Sequence, residues 1–304
     1  MFKQLIVLGL LSGNIYKVDI PDGRVETLYD KAGPEPDGVV VENGIVYWTT
    51  MGVPTPDPSA DDGFDFSARN GGVHAVRLDG SGARDVIPTG AITTGKQLVS
   101  DGAGTLYWGD REGCRVSRVR IDGTGLTDLV VNTRDDSWLQ ECVGVVVDPA
   151  RGHLYWTQKG PSNGGKGRIF RAGLEIPAGQ TAANRTDIEV LWDGLPEPID
   201  LEIEGDWLYW TDRGDPPTGN TLNRAPIPAR GATGGAPEIL ADGFQEAIGL
   251  AVDCDAGVAY VGDLSGHIYA VPISEAASGY DGVRVFVDLG EKLSGLAGLT
   301  DEAN

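Results

Sequence analysis

A tyrosine-tryptophan pair returns along this chain at intervals that a repeated structural unit produces. It stands at Tyr47-Trp48-Thr49, Tyr107-Trp108-Gly109-Asp110, Tyr155-Trp156-Thr157 and Tyr209-Trp210-Thr211-Asp212, with a worn copy at Ala259-Tyr260-Val261-Gly262-Asp263. Successive tyrosines lie 60, 48, 54 and 51 residues apart, the range of a four-stranded blade with variable loops. Around each pair the chain repeats one order: an apolar strand, a turn, the aromatic strand, a loop, then third and fourth strands. Asp79-Gly80 and Asp122-Gly123 fall between third and fourth strands, where glycine supplies the positive φ of a tight turn. Each large flat side chain buries roughly 150–250 Å², so the aromatic strands are expected to fill the space between adjacent sheets.

Five blades read directly, at approximately 35–88, 95–132, 141–193, 197–241 and 246–288. The sixth is split. The tail, 292–300, offers one inner strand from Ser294 to Leu299 and no aromatic strand after it. The head, 3–30, offers the missing three: Gln4 to Leu8, Asn14 to Asp19 and Val25 to Tyr29. Pairing the C-terminal strand with these closes the ring and removes the free sheet edges of an open array. The expected fold class is therefore all-β, a six-bladed β-propeller spanning 1–304 as one domain. The 45 glycines and 18 prolines suit many short strands joined by turns.

A net charge of −21 argues against nucleic acid, which needs a basic footprint, and against anionic membrane surfaces. No stretch reaches the length of a membrane span. Cys114, Cys142 and Cys254 are odd in number and far apart, so no disulfide framework or metal-binding pair is legible. The opening run Leu5 to Leu11 lacks a small-residue cleavage pattern and leads straight into blade sequence. These features together suit a cytoplasmic monomer. On that reading the sequon at Asn184 and the Arg213-Gly214-Asp215 tripeptide carry no meaning of their own. No GxSxG elbow occurs, and Ser162 to Gly167 lacks the spacing of a phosphate loop.

The recurring Tyr-Trp, complete as a tetrad at Tyr209 to Asp212, resembles the YWTD (low-density-lipoprotein-receptor class B) six-bladed propellers over the whole chain. Receptor propellers of that kind sit among cysteine-rich modules and bind protein ligands. This chain carries no such modules and looks more like free-standing, intracellular single-propeller relatives of microbes. By analogy of fold, gluconolactonase-like propellers imply lactone hydrolysis with a divalent cation, and some fungal propellers imply cyclisation of the hetero-Diels–Alder type. A shared fold does not give function.

In a propeller the blade-joining loops and the loops between second and third strands emerge on one face. Three of the latter are long: Met51 to Asn70, Gln158 to Gly167 and Asp212 to Asn220. Proline-stiffened loops on a rigid scaffold are where binding residues collect. The candidate catalytic set there is Glu141, Glu197, Asp200, Lys96, Arg111, Lys159 and Arg213. The candidate substrate-binding set is Asp37, Met51, Gln97, Glu112, Gln158, Asp212, Asp215, Asn220, Glu246 and Asp263. Such a mixture of charges can tune pKa values and supply a general acid or base.

Two chemistries stay open. Glu141, Glu197, Asp200 and Glu246 would offer hard oxygen ligands to Ca²⁺ or Mg²⁺, although no contiguous motif marks a cofactor site. Without metal, the lysines and arginines would stabilise developing negative charge while a carboxylate moves a proton. Cys142 reads as a small buried thiol, since His74, His153 and His267 fall away from it. The expectation is a small-molecule-binding propeller, with an enzyme (lactonase-type hydrolase, or cyclase or isomerase) favoured. A non-catalytic scaffold that binds a ligand or a protein partner is the alternative.

Overall fold

The computed structural model describes residues 1–58, 63–274, 277 and 282–300. All regular structure among them is β, arranged as six four-stranded antiparallel sheets around a central axis. Blade one comprises Pro36–Glu42, Ile45–Thr50, Gly71–Arg77 and Arg84–Ile92, listed from axis to rim. Blade two comprises Gly95–Ser100, Thr105–Asp110, Arg115–Arg120 and Thr127–Val131. Blade three comprises Val145–Asp148, His153–Gln158, Gly167–Gly173 and Glu189–Leu195. Blade four comprises Pro198–Glu204, Trp207–Asp212, Thr221–Pro226 and Glu238–Asp242. Blade five comprises Ala247–Asp253, Val258–Asp263, His267–Pro272 and Arg284–Asp288.

Blade six joins the termini. Leu293–Leu299 is its inner strand, paired antiparallel to Gln4–Gly9, with Ile15–Asp19 and Val25–Tyr29 outside. The register runs from Gln4 opposite Leu299 to Gly9 opposite Leu293. One feature was not legible beforehand. The long loop of blade one folds a small two-stranded ribbon, Thr55–Pro56 with Phe64–Asp65.

In blades one to four the Tyr-Trp pair couples the blade to both neighbours. Successive residues of a strand point to opposite faces, so tyrosine and tryptophan enter different inter-blade cores. Tyr47 packs with Trp108, Tyr107 with Trp156, and Tyr155 with Trp210, each tyrosine meeting the tryptophan of the next blade. Trp48 completes the ring in the other direction, against Ile6 and Leu8 of blade six.

The threonine of the motif has a separate task. Inner strands of five blades bulge near their entry, as between Pro36 and Val39 or between Pro198 and Leu201, which frees backbone groups from the ladder. The hydroxyls of Thr49, Thr157 and Thr211 accept from Gly38 N (2.9 Å), Gly144 N (2.7 Å) and Asp200 N (3.1 Å). Each then donates to the following blade's inner strand, at Lys96 O (2.7 Å), Ile199 O (2.9 Å) and Ile248 O (2.7 Å). Where the motif drifts to glycine, the next strand closes in. A Cβ at Gly109 would lie 2.5 Å from Val143 O, and one at Gly262 would lie 2.5 Å from a Leu296 methyl.

Candidate functional site

The final aspartate of the motif clamps the loop that enters its blade. Asp110 accepts from Thr93 N, Thr94 N and Gly113 N. Asp212 accepts from Glu197 N and Gly214 N, and Asp263 from Gln245 N, Ser265 N and His267 N. Burial pushes the Asp110 carboxyl up, and that of Asp212 up to about 7. Asp212 and Asp263, expected from sequence to touch substrate, are therefore engaged with backbone, and neither lines the cavity described below.

The channel itself is plugged. Gln97 reaches from blade two to accept from Val145 N (3.0 Å) and Leu201 N (3.2 Å). Asp200 accepts from Leu201 N (2.8 Å) and Leu250 N (2.9 Å), and burial holds its carboxyl well above the usual range. Lys96 Nζ lies 2.5 Å from Asp37 and 3.1 Å from Met51 Sδ. Asp37, Gln97 and Asp200 line a residual space of about 10 Å³, too small for an organic ligand. Gln158 is buried, accepting from Arg168 at 2.8 Å. Lys96, Asp37, Met51, Gln97 and Asp200 are thus engaged with one another or with backbone of the inner strands, and Gln158 with Arg168 and Cys142 beside its own blade; none of the six lines the cavity described next.

The other sequence candidates do converge. A cavity of about 370 Å³ at the mouth is lined by Arg111, Glu112, Glu141, Lys159, Glu197, Arg213, Asp215, Asn220 and Glu246. Glu197, 2% exposed, is its electrostatic centre: Oε2 lies 3.0 Å from Arg213 Nε and 3.7 Å from Lys159 Nζ, and Oε1 accepts from Asn163 N at 2.5 Å. Arg213 reaches on to Glu246 at 3.6 Å. Arg111 pairs with Glu112 at 2.6 Å while its guanidinium sits over the Phe66 ring.

Glu141 differs from its neighbours. It is 4% exposed, and among the described residues no hydrogen bond or ion pair reaches its carboxylate. Burial pushes the carboxyl from 4.5 up to about 7, with Arg111 and Lys159 opposing the rise and Glu112 adding to it. Lys159 moves the other way. Burial, then the adjacent Arg213, lower its ammonium below the ordinary lysine value. Two titratable groups pushed toward each other are what acid-base chemistry at neutral pH requires.

Of the four carboxylates expected as cation ligands, Glu141, Glu197 and Glu246 line the cavity and Asp200 does not. Asp200 is in the channel, Glu197 and Glu246 are engaged by Arg213, and Lys159 and Arg111 stand beside Glu141. No group of three or more His, Cys, Asp or Glu side chains among the described residues is placed to hold a metal. A divalent cation would meet three fixed positive charges here, so the donor set does not fit one. Cys142 is in the core between blades two and three, with its thiol pushed up by burial.

Phe64, Trp138, Pro161, Ser162 and Asn163 complete the lining; the sequence singled out none of them, although the long loops it marked, Met51 to Asn70 and Gln158 to Gly167, contain all but Trp138. Phe64 arrives on the unforeseen ribbon of blade one. Trp138 comes from the loop between blades two and three, and its lone tryptophan outside any strand pattern was the available signal.

No family model matches the chain. The low-density lipoprotein receptor-related protein 1 of Pyricularia oryzae is 43% identical over 290 residues, covering 89% of this chain and 88% of that protein. The 3-hydroxyacyl-CoA dehydrogenase-like protein LAM1 of Cochliobolus heterostrophus is 39% identical over 277 residues, covering 85% of this chain. This chain spans 56% of LAM1's length. Among solved structures, a chain of a nidogen/laminin complex superposes with a TM-score of 0.68 at 18% identity, covering 97% of each chain. At that identity the likeness is one of fold.

Proposed function

The chain belongs to the family of the Pyricularia oryzae low-density lipoprotein receptor-related protein 1, and we propose that it is a metal-independent enzyme moving a proton on a small carbonyl compound bound at the mouth of the propeller. The observation that carries this reading is Glu141: a buried carboxyl in a ligand-sized cavity, pushed up to about 7 and, among the described residues, reached by no hydrogen bond or ion pair. In the deprotonated form it removes a proton from the carbon beside a carbonyl. Arg111 and Lys159 stabilise the negative charge that develops on the oxygen. The same carboxyl returns the proton to the γ-carbon of a β,γ-unsaturated carbonyl compound, which moves the double bond and gives isomerisation; in cyclisation the enolate carbon adds to a second carbonyl of the same molecule, whose C=O π bond opens and whose oxygen takes the proton. Glu197 holds Arg213 and Lys159 in place.

Uncharged cyclic ketones and lactones incubated with the protein in D₂O, read by mass spectrometry, test the proposal. Deuterium incorporation is expected, unchanged by a chelator, and lowered by about 100-fold or more in Glu141→Gln, the usual worth of a positioned acid-base group. Incorporation as fast in Glu141→Gln as in the native protein would exclude this carboxyl as the base. A chelator-sensitive reaction would return the choice to metal-assisted chemistry.

A further inference from the structure

Two aromatic side chains line the cavity while staying largely outside the core: Trp138 is 40% exposed and Phe64 47%. Trp138 also holds a backbone φ of +53°. A bulky residue takes up that left-handed conformation only where its surroundings enforce it, and such strain gathers at ligand clamps. The enforcing contacts are present. Asn132 donates to Gln140 O at 3.0 Å, Ser137 Oγ accepts from Leu139 N at 3.2 Å, and Arg168 donates to Leu139 O at 2.5 Å. An exposed indole fixed in this way offers a flat stacking surface at low entropic cost.

The charges on the cavity wall restrict what can stack there. Arg111, Lys159 and Arg213 face five carboxylates: Glu112, Glu141, Glu197, Asp215 and Glu246. Glu112, Glu197 and Glu246 already neutralise the cations. Glu112 Oε2 is buried with no donor, and the nearby Thr94 hydroxyl commits its one proton to Phe66 O. An anionic ligand would meet an excess of carboxylate. A cationic one would have to compete with Arg111, Lys159 and Arg213 for the carboxylates already paired with them. An uncharged polar molecule escapes both penalties.

We infer that the cavity takes a flat, uncharged carbonyl compound, stacked on Trp138 with its carbonyl toward Arg111 and Lys159. This rests on the acid-base reading above and names its substrate class. Three probes separate the features: coumarin (flat, uncharged), coumarin-3-carboxylate (flat, anionic) and octahydrocoumarin (uncharged, not flat). Equilibrium dialysis of the full chain at pH 7 is expected to show coumarin bound at least threefold tighter than either other probe. Trp138→Gly is expected to remove that preference over octahydrocoumarin. Its melting temperature should be no lower than the native protein's, because glycine adopts the left-handed backbone without strain.

Equal binding of octahydrocoumarin, tighter binding of the carboxylate, no binding of coumarin, or an unaffected Trp138→Gly would each overturn the inference. Glu141→Gln keeps the two proposals apart. It is expected to bind coumarin as the native protein does while losing deuterium exchange. A lost coumarin preference with Glu141-dependent exchange intact removes the substrate class alone. Exchange independent of Glu141 with the preference intact removes the acid-base role alone.

Discussion

Replacing Glu141 by glutamine keeps the shape of the side chain and removes its charge, so stability against pH becomes a direct reading of the site. The carboxyl is pushed from 4.5 in the unfolded chain to about 7 in the folded one. Between those values the folded protein holds the proton more tightly than the unfolded chain does. Native stability therefore falls as pH rises from about 4.5 to about 7, and the loss is complete above that. A shift of this size corresponds to about 3 kcal/mol. At pH 4 the variant and the native protein should melt together, save for small packing differences. At pH 8.5 the variant should be more stable by about 3 kcal/mol, or about 5 °C for a chain of this length. The assay is calorimetric melting of both proteins from pH 4 to 8.5. Other titrating groups, such as Asp212 and Glu202, contribute to both curves and cancel in the difference. A melting-temperature difference that does not change with pH would mean that Glu141 titrates as an ordinary carboxyl, and the proposed base would have no special poise.

Three further outcomes follow from the same structure. Thr157→Val leaves Gly144 N and Ile199 O unpaired in the core; a loss of about 2–4 kcal/mol in urea denaturation is expected, and a loss under 0.5 kcal/mol would refute the stitching role. Asp212→Ala and Asp263→Ala remove equivalent clamps and should cost similar stability, but only Asp212 positions the Glu197 backbone, so only Asp212→Ala should weaken coumarin binding in dialysis. Treatment with a chelator should leave the melting temperature unchanged, because Glu197 and Glu246 at the mouth are engaged by arginine and lysine; a drop with loss of bound metal would show that another donor set exists.

The ring was legible because its determinants are local and repeated. Tyr-Trp spacing fixed the blade length, and the unpaired strand at Leu293–Leu299 forced the join to Gln4–Gly9. The site was legible only in part. Sequence position placed Arg111, Lys159, Glu197 and Arg213 on one face, but it put Lys96, Asp200 and Gln97 there with equal force. What separates the two groups is depth. The bulged inner strands turn the second group into the channel, where backbone N–H groups and Asp37 satisfy them. That distinction depends on register shifts of a single residue, which carry no signature in composition. Phe64 and Trp138 escaped notice for a different reason: Phe64 is on a two-residue strand too short to show alternation, and Trp138 is in an irregular loop.

The motif that builds the fold also explains why the cavity has charge without chaos. The aspartate at the end of the aromatic strand binds N–H groups at the entry to its own blade's inner strand and in the loop that follows the aspartate. In blade four those donors belong to Glu197 and Gly214, which bracket Arg213 in space. The clamp therefore sets the Glu197-Arg213 pair, and Glu197 in turn fixes Lys159 from blade three. Preorganised charges of this kind need no rearrangement as a substrate reacts, which is the condition for electrostatic stabilisation of an oxyanion. Glu141 stands outside that network, and this is what leaves its proton exchangeable. A repeat that only had to close a ring would have satisfied all of its buried carboxylates alike.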